Sequence, residues 1–151
     1  MREFKNVDDI LDFAIENEQK AVDFYNELAA KTKNIDMRDT FEHFAQEEVG
    51  HKAKLTKIKE EKIFTVGTEV IRDLKLSDYV DNVEVTSNMS YQDALILAMK
   101  REKSAFKLYT NLASKTSNLA LQKLFFSLAQ EESKHKLIFE IEYDEVILKE
   151  N

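Results

Sequence analysis

The sequence repeats itself once, at a constant offset of 84 residues and without a gap. Glu18 is matched by Glu102 at this offset, and His51 is matched by His135. The other matches include small, aliphatic, aromatic and acidic residues: Ala21 and Ala105, Tyr25 and Tyr109, Leu28 and Leu112, Phe41 and Phe125, Ala45 and Ala129, and Glu48 and Glu132. The repeat therefore predicts two duplicated αα-hairpins that close into one bundle with approximate two-fold symmetry.

The composition indicates that the repeated elements are long helices. The 151 residues include no proline and only two glycines, Gly50 and Gly67, so residues that break helices are nearly absent. The length suits a single domain over residues 1–151 with a substantial core. We therefore predict an all-α fold, a four-helix bundle made of two duplicated αα-hairpins.

Apolar residues that recur every three or four positions predict where the helices lie. Phe106 is expected to face inward on the third helix, beside Glu102 and Tyr109. The four helices are expected to run from about Asn6 to Lys33, from Asp36 to Glu60, from Ser90 to Lys115, and from Leu119 into the 140s.

Two further segments are less regular. Residues 61–90 fit a long crossover between the second and third helices, with a bend at Gly67 and a short helix from Asp73 to Tyr79. The tail after Glu140 is expected either to extend the fourth helix or to pack across the end of the bundle.

The charge and the residue types exclude several classes of function. The net charge is −7 without a basic run, which argues against binding nucleic acid or an anionic membrane. The sequence contains no cysteine, and so no disulfide, iron–sulfur cluster or thiol nucleophile. No signal-peptide pattern or long apolar span occurs, so we expect a cytoplasmic protein.

The motif Glu-x-x-His occurs twice, as Glu48 with His51 and as Glu132 with His135. Residues three apart lie about 60° apart around a helix, so each glutamate and histidine share one face. A single such motif is weak evidence, because helices on a protein surface contain it by chance. Here Glu18 and Glu102 also interrupt apolar stripes at matching depths, and burying four carboxylates together is unfavourable without a cation.

These six residues predict a two-metal site. Two histidines and four carboxylates without a thiolate suit iron, manganese or cobalt, and they also accept zinc. We expect Glu18 and Glu102 as terminal or bridging ligands, Glu48 and Glu132 as bridging ligands, and one nitrogen of a histidine on each metal. The six predicted metal ligands are Glu18, Glu48, His51, Glu102, Glu132 and His135.

Other polar and aromatic residues near the motifs have two interpretations each. Tyr25 and Tyr109 either bond a ligand carboxylate through the hydroxyl or fill the core. His43 has no histidine at its repeated position and is expected on the surface. Glu47 and Glu131 lie about 100° away from the ligand face, which favours contact with solvent or with a ligand over direct metal binding.

At these residues the chain resembles the rubrerythrin-type branch of the ferritin-like superfamily. The resemblance rests on Ala14-x-x-x-Glu18-x-x-Ala21-x-x-x-Tyr25, Glu48-x-x-His51, Ala98-x-x-x-Glu102-x-x-Ala105-x-x-x-Tyr109 and Glu132-x-x-His135. It covers most of the chain except residues 61–90 and the tail. It implies a ferritin-like di-iron carboxylate bundle with two iron ions.

Two departures from that family pattern affect the expected reaction. Rubrerythrins carry a cysteine-rich rubredoxin domain, and this sequence has no cysteine. They also place an additional glutamate three residues after the third-helix ligand, where this chain has Ala105. The resemblance therefore implies an external electron donor, such as a rubredoxin-like protein, and a site similar to the symmetric one of bacterioferritins.

Three functions fit the sequence. The first is a non-haem di-iron oxidoreductase that reduces hydrogen peroxide or oxygen in oxidative-stress defence. The second is an iron-handling ferroxidase, and the third is a structural bundle stapled by metal. From the resemblance we expect a homodimer.

Overall fold

The computed structural model describes residues 4–75, 78–79 and 89–150. The helices of this part of the chain are α1 (Val7–Lys31), α2 (Ile35–Glu61), α3 (Thr68–Asp73), α4 (Tyr91–Lys115) and α5 (Leu119–Glu150). Helix α1 packs against α2, and α4 packs against α5. These contacts divide the chain into two compact units, residues 1–76 and 77–151, and each unit contains one of the predicted αα-hairpins.

The first hairpin is defined by polar residues at the ends of its helices. The side chain of Asn6 accepts a hydrogen bond of 2.8 Å from the backbone N–H of Asp9 and so caps α1. Asn34 caps α2 by accepting from the N–H groups of Asp36 and Met37. Between them, Thr32 donates its hydroxyl and its N–H to the carbonyl of Leu28, which ends α1. The two helices are therefore joined by a short connection at residues 32–34.

The core of this hairpin is formed by apolar side chains from the facing sides of α1 and α2. Lysine and polar side chains also join the two helices at the edge of the core. Lys52 of α2 donates a 2.8 Å hydrogen bond to Gln19, and Lys59 donates to Asp12. The buried apolar side chains on α1 and α2 are Ile10, Leu11, Phe13, Ala14, Val22, Phe24, Tyr25, Leu28, Ala29, Phe41, Phe44, Ala45, Leu55 and Ile58.

The helices of the second hairpin are capped by similar hydrogen bonds at the repeated positions. Ser90 accepts from the N–H of Asp93 at 3.1 Å and caps α4. Thr116, the repeat of Thr32, ends α4 through its N–H bond to the carbonyl of Leu112. The side chain of Asn118, which repeats Asn34, accepts from the N–H of Leu121. The duplication thus preserves the caps as well as the core.

The fourth long helix continues through the tail. Of the two expectations for the residues after Glu140, extension of the helix is correct, since α5 runs to Glu150. Hydrogen bonds hold this part of α5 to the start of α4: Tyr91 to Glu142 at 3.2 Å, and Gln92 to Tyr143 at 3.3 Å. Burial together with the Glu142 carboxylate raises the pKa of Tyr91, so its hydroxyl remains a proton donor at neutral pH.

Two expectations from the sequence were wrong. The short helix predicted from Asp73 to Tyr79 does not begin at Asp73, because Leu74 is already extended, and a short helix lies instead at Thr68–Asp73, directly after Gly67. Glu69 and Arg72 lie in its first and last turns, where their charges favour a helix. The predicted helix also included residues 76 and 77, which lie outside the described residues. Phe106 is 42% exposed rather than buried, although its repeat Val22 is 7% exposed.

Candidate metal centre

The first hairpin brings together three of the predicted ligands. Glu18 lies in the middle of α1, and Glu48 and His51 lie one turn apart on α2. Their relative exposures are 2%, 1% and 1%, so all three are as buried as the apolar core. Ionisable side chains are rarely buried to this degree unless they are paired or bind metal.

The potential metal-binding atoms of these three side chains lie close together. One donor atom from each of Glu18, Glu48 and His51 lies within 4.8 Å of the others. Nδ1 of His51 is 3.5 Å from Oε2 of Glu18 and 3.6 Å from Oε1 of Glu48. Nδ1 is therefore the imidazole nitrogen that faces both carboxylates. We call this group the first triad.

The second hairpin contains the equivalent group, which we call the second triad. Glu102 lies on α4, and Glu132 and His135 lie on α5, with exposures of 1%, 2% and 2%. One donor atom from each of these residues also lies within 4.8 Å of the others. Nδ1 of His135 is 3.6 Å from Oε1 of Glu102. The same nitrogen of the repeated histidine thus faces the repeated carboxylate.

The local sequence explains why these side chains point inward. Helix α1 has Ala14 and Val22 one turn before and one turn after Glu18, and both are buried. On α2 the buried residues Ala45 and Leu55 flank Glu48 and His51 at helical spacing. A glutamate in such a stripe cannot reach water without turning the apolar face outward. The packing of each hairpin therefore holds its carboxylates in the core.

Burial has a direct electrostatic effect on the first triad. The pKa of Glu18 is raised to about 8, first by burial and then by the neighbouring Glu48 carboxylate, with His51 partly opposing the shift. Without a cation the protonated form of Glu18 is therefore favoured at neutral pH. A divalent metal would replace this proton and neutralise the charge that makes the burial of two carboxylates costly.

The donor sets of the two triads fit a transition metal. Each triad offers two carboxylates and one imidazole, and the sequence has no cysteine to supply a thiolate. In the second triad, Oε2 of Glu102 is buried and makes no hydrogen bond with the described residues. A buried carboxylate oxygen in this environment is well suited to bind a metal ion. No Asp, Glu or His of the described residues joins either triad beyond the residues predicted from the motifs.

The two tyrosines lie in the cores of their hairpins. Tyr25 and Tyr109 are each 1% exposed. The ring of Tyr25 packs edge-on against Phe44 at 5.8 Å, and the ring of Tyr109 stacks on Phe125 at 6.5 Å. These contacts show that both rings fill the core. A bond from either hydroxyl to a ligand carboxylate stays a prediction.

The remaining candidates near the motifs face outward. His43 is on the surface as predicted, with a side chain that is 69% exposed and Nε2 at 2.7 Å from Oε1 of Glu47. Glu47 is itself 30% exposed, and Glu131 is also only partly buried. None of these three residues belongs to a triad.

Comparisons with known proteins agree with this arrangement. The sequence profile of the rubrerythrin family matches residues 9–143. The structure is similar to a putative ferritin-like diiron-carboxylate protein from Thermotoga maritima, with a TM-score of 0.77 and 23% identity over 97% of this chain and 99% of that one. It is also similar to a hypothetical protein from Pyrococcus furiosus, with a TM-score of 0.71 and 24% identity over 89% of this chain and 86% of that one.

A search of curated proteins finds no significant match to the sequence. None of the helices in the described part of the chain is both long and apolar enough to cross a membrane. The predicted fold class, an all-α ferritin-like fold with two duplicated αα-hairpins, is confirmed by the helices of the described residues and by the structural neighbours. The profile match over most of the sequence shows that the chain belongs to the rubrerythrin family.

Proposed function

We propose that this chain is a non-haem di-iron oxidoreductase that reduces hydrogen peroxide or oxygen with electrons from an external donor. The observation that carries the proposal is the presence of a buried Glu–Glu–His triad in each duplicated hairpin. Membership of the rubrerythrin family supports the choice of reaction class. Defence against oxidative stress is the biological role that this chemistry would serve.

Under this proposal each triad would hold one metal ion, so that the chain would bind two. Glu18 and Glu48 would be the carboxylate ligands in the first triad, and Glu102 and Glu132 those in the second. Nδ1 of His51 and Nδ1 of His135 each bind one metal, since these nitrogens face the carboxylates. Iron is the metal we propose, and manganese and zinc are chemically acceptable substitutes. When bound, a pair of ferrous ions supplies the two electrons that reduce the oxidant.

The protein residues have separate tasks in this chemistry. The imidazoles would hold the metals in position through Nδ1, and the buried carboxylates would balance the charge of the metals. Glu18 must release its proton before it can bind metal, because its pKa without metal is about 8. The apolar residues around both triads limit the access of water, which strengthens electrostatic interactions inside the site.

The proposed electron donor is a separate protein of the rubredoxin type. The sequence contains no cysteine, so it cannot itself build a rubredoxin-type site with four cysteine ligands. Another protein would therefore have to supply the electrons for each turnover.

One observation favours a second candidate, an iron-handling ferroxidase. Ala105 occupies the position where the resemblance leads us to expect an additional glutamate on the third long helix, and its repeat in the first hairpin is also an alanine, Ala21. The two halves therefore offer the same ligand set, as in the symmetric site of bacterioferritins. A ferroxidase would oxidise ferrous iron as its substrate and use oxygen as the acceptor.

An anaerobic Fe(II) titration followed by stopped-flow mixing separates these functions. Uptake of two Fe(II) per chain, with oxidation by peroxide faster than oxidation by oxygen, is expected for the proposed reductase. Faster oxidation by oxygen would favour the ferroxidase. Metal that binds but never changes oxidation state would indicate a purely structural role for the metal and would overturn the proposal.

A matched pair of variants tests the ligands themselves. Glu132→Gln removes a proposed bridging carboxylate, and Glu131→Gln removes the same charge one residue away on α5, outside the triad. Iron binding should fall in the first variant and stay at the wild-type level in the second. Equal iron binding in both variants would contradict the proposed site.

A further inference from the structure

Helix α5 carries a row of large apolar side chains that face solvent. Phe126 is 45% exposed and Leu137 is 56% exposed, although both are on a helix that packs its other side against α4. With about 100° between successive residues, five such residues fall within about 60° of arc around α5. These five residues, which we call the α5 stripe, are Leu119, Phe126, Leu137, Ile141 and Leu148, with exposures of 64%, 45%, 56%, 52% and 74%.

The hairpin fold does not require these apolar residues. The duplicated helix α2 has Glu42 at the repeat of Phe126, Ala53 at the repeat of Leu137, and Lys57 at the repeat of Ile141. All three are exposed, as expected for the solvent face of a packed helix. The positions of Phe126 and Ile141 are therefore charged in α2, whereas the position of Leu119 is also apolar and exposed there, as Ile35 with 63% exposure. An exposed apolar face of this kind indicates a surface that is covered by a partner.

The apolar positions of the α5 stripe are nearly the same when α5 is read from its first residue or from its last. The midpoint of this mirror relation lies between Ser133 and Lys134. Counting outward from it, Leu119 mirrors Leu148, and Phe126 mirrors Ile141. An antiparallel helix with the same sequence would therefore place apolar residues opposite apolar residues at both ends of the face, with Leu137 opposite Gln130 near the centre.

One pair of exposed charges on the same face is related by the same mirror relation and has opposite signs. Lys123 mirrors Asp144, and both are exposed and lie on the arc of the α5 stripe. In an antiparallel pair, Lys123 of each chain would face the partner's Asp144, which gives two opposite-charge pairs. In a parallel pair, Lys123 would face the partner's Lys123, which is unfavourable. The charges thus select one orientation.

We propose that α5 pairs antiparallel with α5 of a second copy of this chain, with the two-fold axis between Ser133 and Lys134. A surface that pairs with itself about a two-fold axis forms a closed dimer and does not continue into a filament. In this register, Leu119 packs on the partner's Leu148, Phe126 on the partner's Ile141, and Leu137 on the partner's Gln130.

The spacing along α5 suits a pair of nearly straight helices. Leu119, Gln130 and Ile141 are separated by eleven residues, and so are Phe126, Leu137 and Leu148. An eleven-residue repeat corresponds to about 3.67 residues per turn, close to the 3.6 of an undistorted helix. The face therefore stays aligned over the whole length, about 44 Å between Leu119 and Leu148. Ser133 places a small side chain at the centre, where the two helices approach each other.

Sedimentation equilibrium of charge variants tests the partner and the orientation together. Lys123→Asp places two aspartates opposite each other in both pairs. Aspartate is compatible with this position of the hairpin, because α2 has Asp39 at the repeat of Lys123. We expect it to raise the dimer dissociation constant by at least about tenfold at low salt. The double variant Lys123→Asp with Asp144→Lys restores opposite charges and should return the constant to near the wild-type value.

Apolar positions give an independent test with a control on the same helix. Ile141→Lys introduces the residue found at the repeated position of α2 and should shift the protein to monomer. Ile138→Lys makes the same change at a site that is 37% exposed and about 90° from the centre of the stripe, so it should leave the dimer intact. Circular dichroism establishes that each variant is folded. A wild-type protein that is monomeric, or a dimer that Ile141→Lys does not weaken, would overturn the proposal.

Disulfide formation tests the register directly, because the sequence contains no native cysteine. Ser133→Cys lies beside the axis and should form a disulfide between the two chains under mild oxidation. Lys123→Cys should not, since two copies of this residue would be about 31 Å apart along an antiparallel pair. Efficient cross-linking of Lys123→Cys, or none for Ser133→Cys, would show that α5 does not pair in this register.

Discussion

Nδ1 of His51 lies 3.5 Å from Oε2 of Glu18, on the neighbouring helix of the same hairpin, with both side chains almost completely buried. The imidazole lowers the pKa of the carboxyl, but burial and Glu48 raise it by more, to about 8. The first triad is therefore a place where a proton and a metal ion compete for the same oxygen atoms. The competition has consequences that can be measured.

The stability of the metal-free protein should fall as the pH rises from about 5 to about 8. The pKa of Glu18 is about 8 in the folded chain, against an ordinary value of 4.5, so between these values the folded chain holds a proton that the unfolded chain has lost. Folding is then coupled to proton uptake and becomes less favourable with increasing pH. Urea denaturation of metal-free protein at several pH values measures the slope.

Glu18→Gln provides the comparison for this pH dependence, because glutamine is neutral at every pH. Its free energy of unfolding without metal should change less between pH 5 and pH 8 than that of the wild type. Equal slopes for the two proteins would show that the Glu18 carboxyl does not cause the effect.

Metal affinity should show the opposite pH dependence. Binding at the first triad displaces the proton of Glu18, so the affinity for a divalent metal should increase as the pH rises toward about 8. Calorimetric titration with Co(II) or Zn(II) in buffers of different ionisation enthalpy measures the released proton. A binding reaction that releases no proton at pH 6.5 would contradict a protonated Glu18 in the metal-free state.

Each triad histidine should be needed for full metal occupancy, whereas the third histidine should not. His51→Ala and His135→Ala each remove one nitrogen ligand from a buried triad, and we expect at least about a tenfold loss of metal affinity. His43→Ala changes an exposed side chain and should bind metal as the wild type does. Metal analysis by mass spectrometry after dialysis compares the three. If His51→Ala retained as much metal as the wild type, His51 would not be a metal ligand.

Much of this structure could be predicted from the sequence because several signals coincide at the same residues. The starts of α1 and α2 agree with the predicted starts near Asn6 and Asp36, and the side chains of Asn6 and Asn34 bond the first turns of these helices. The six candidate ligands follow from the repeat, since Glu18 and Glu102 occupy equivalent positions in two apolar stripes. Agreement between capping, periodicity and duplication made these predictions specific.

The errors occurred where only one weak signal was available. The position of α3 depends on a single turn of helix near Gly67, for which periodicity carries little information. Phe106 is adjacent to the buried stripe, but helical spacing alone does not show whether a neighbouring element covers that edge. The identity of the metal and of the oxidant depends on small differences in charge and access, which residue types do not determine.

The caps between the helices should contribute measurably to stability. Asn34 accepts hydrogen bonds from two backbone N–H groups at the start of α2, and Asn34→Ala leaves both without this acceptor. We expect a loss of about 1 kcal/mol in the free energy of unfolding. Asn26→Ala, at an exposed position inside α1, should be neutral or slightly stabilising because alanine favours the helix interior. Urea denaturation compares the two variants, and equal effects would argue against the cap.

The exposure of Phe106 can be tested against a truly buried phenylalanine. Phe125 on α5 is 0% exposed and stacks on Tyr109, so Phe125→Ala should cost about 3–5 kcal/mol of unfolding free energy through lost contacts and a cavity. Phe106 is 42% exposed, so Phe106→Ala should cost less than about 1 kcal/mol. Thermal and urea denaturation of both variants, performed on metal-free protein, keep metal binding from masking the difference. A loss at Phe106 as large as that at Phe125 would mean that Phe106 is buried in solution, and the sequence-based expectation of an inward-facing residue would then be correct after all.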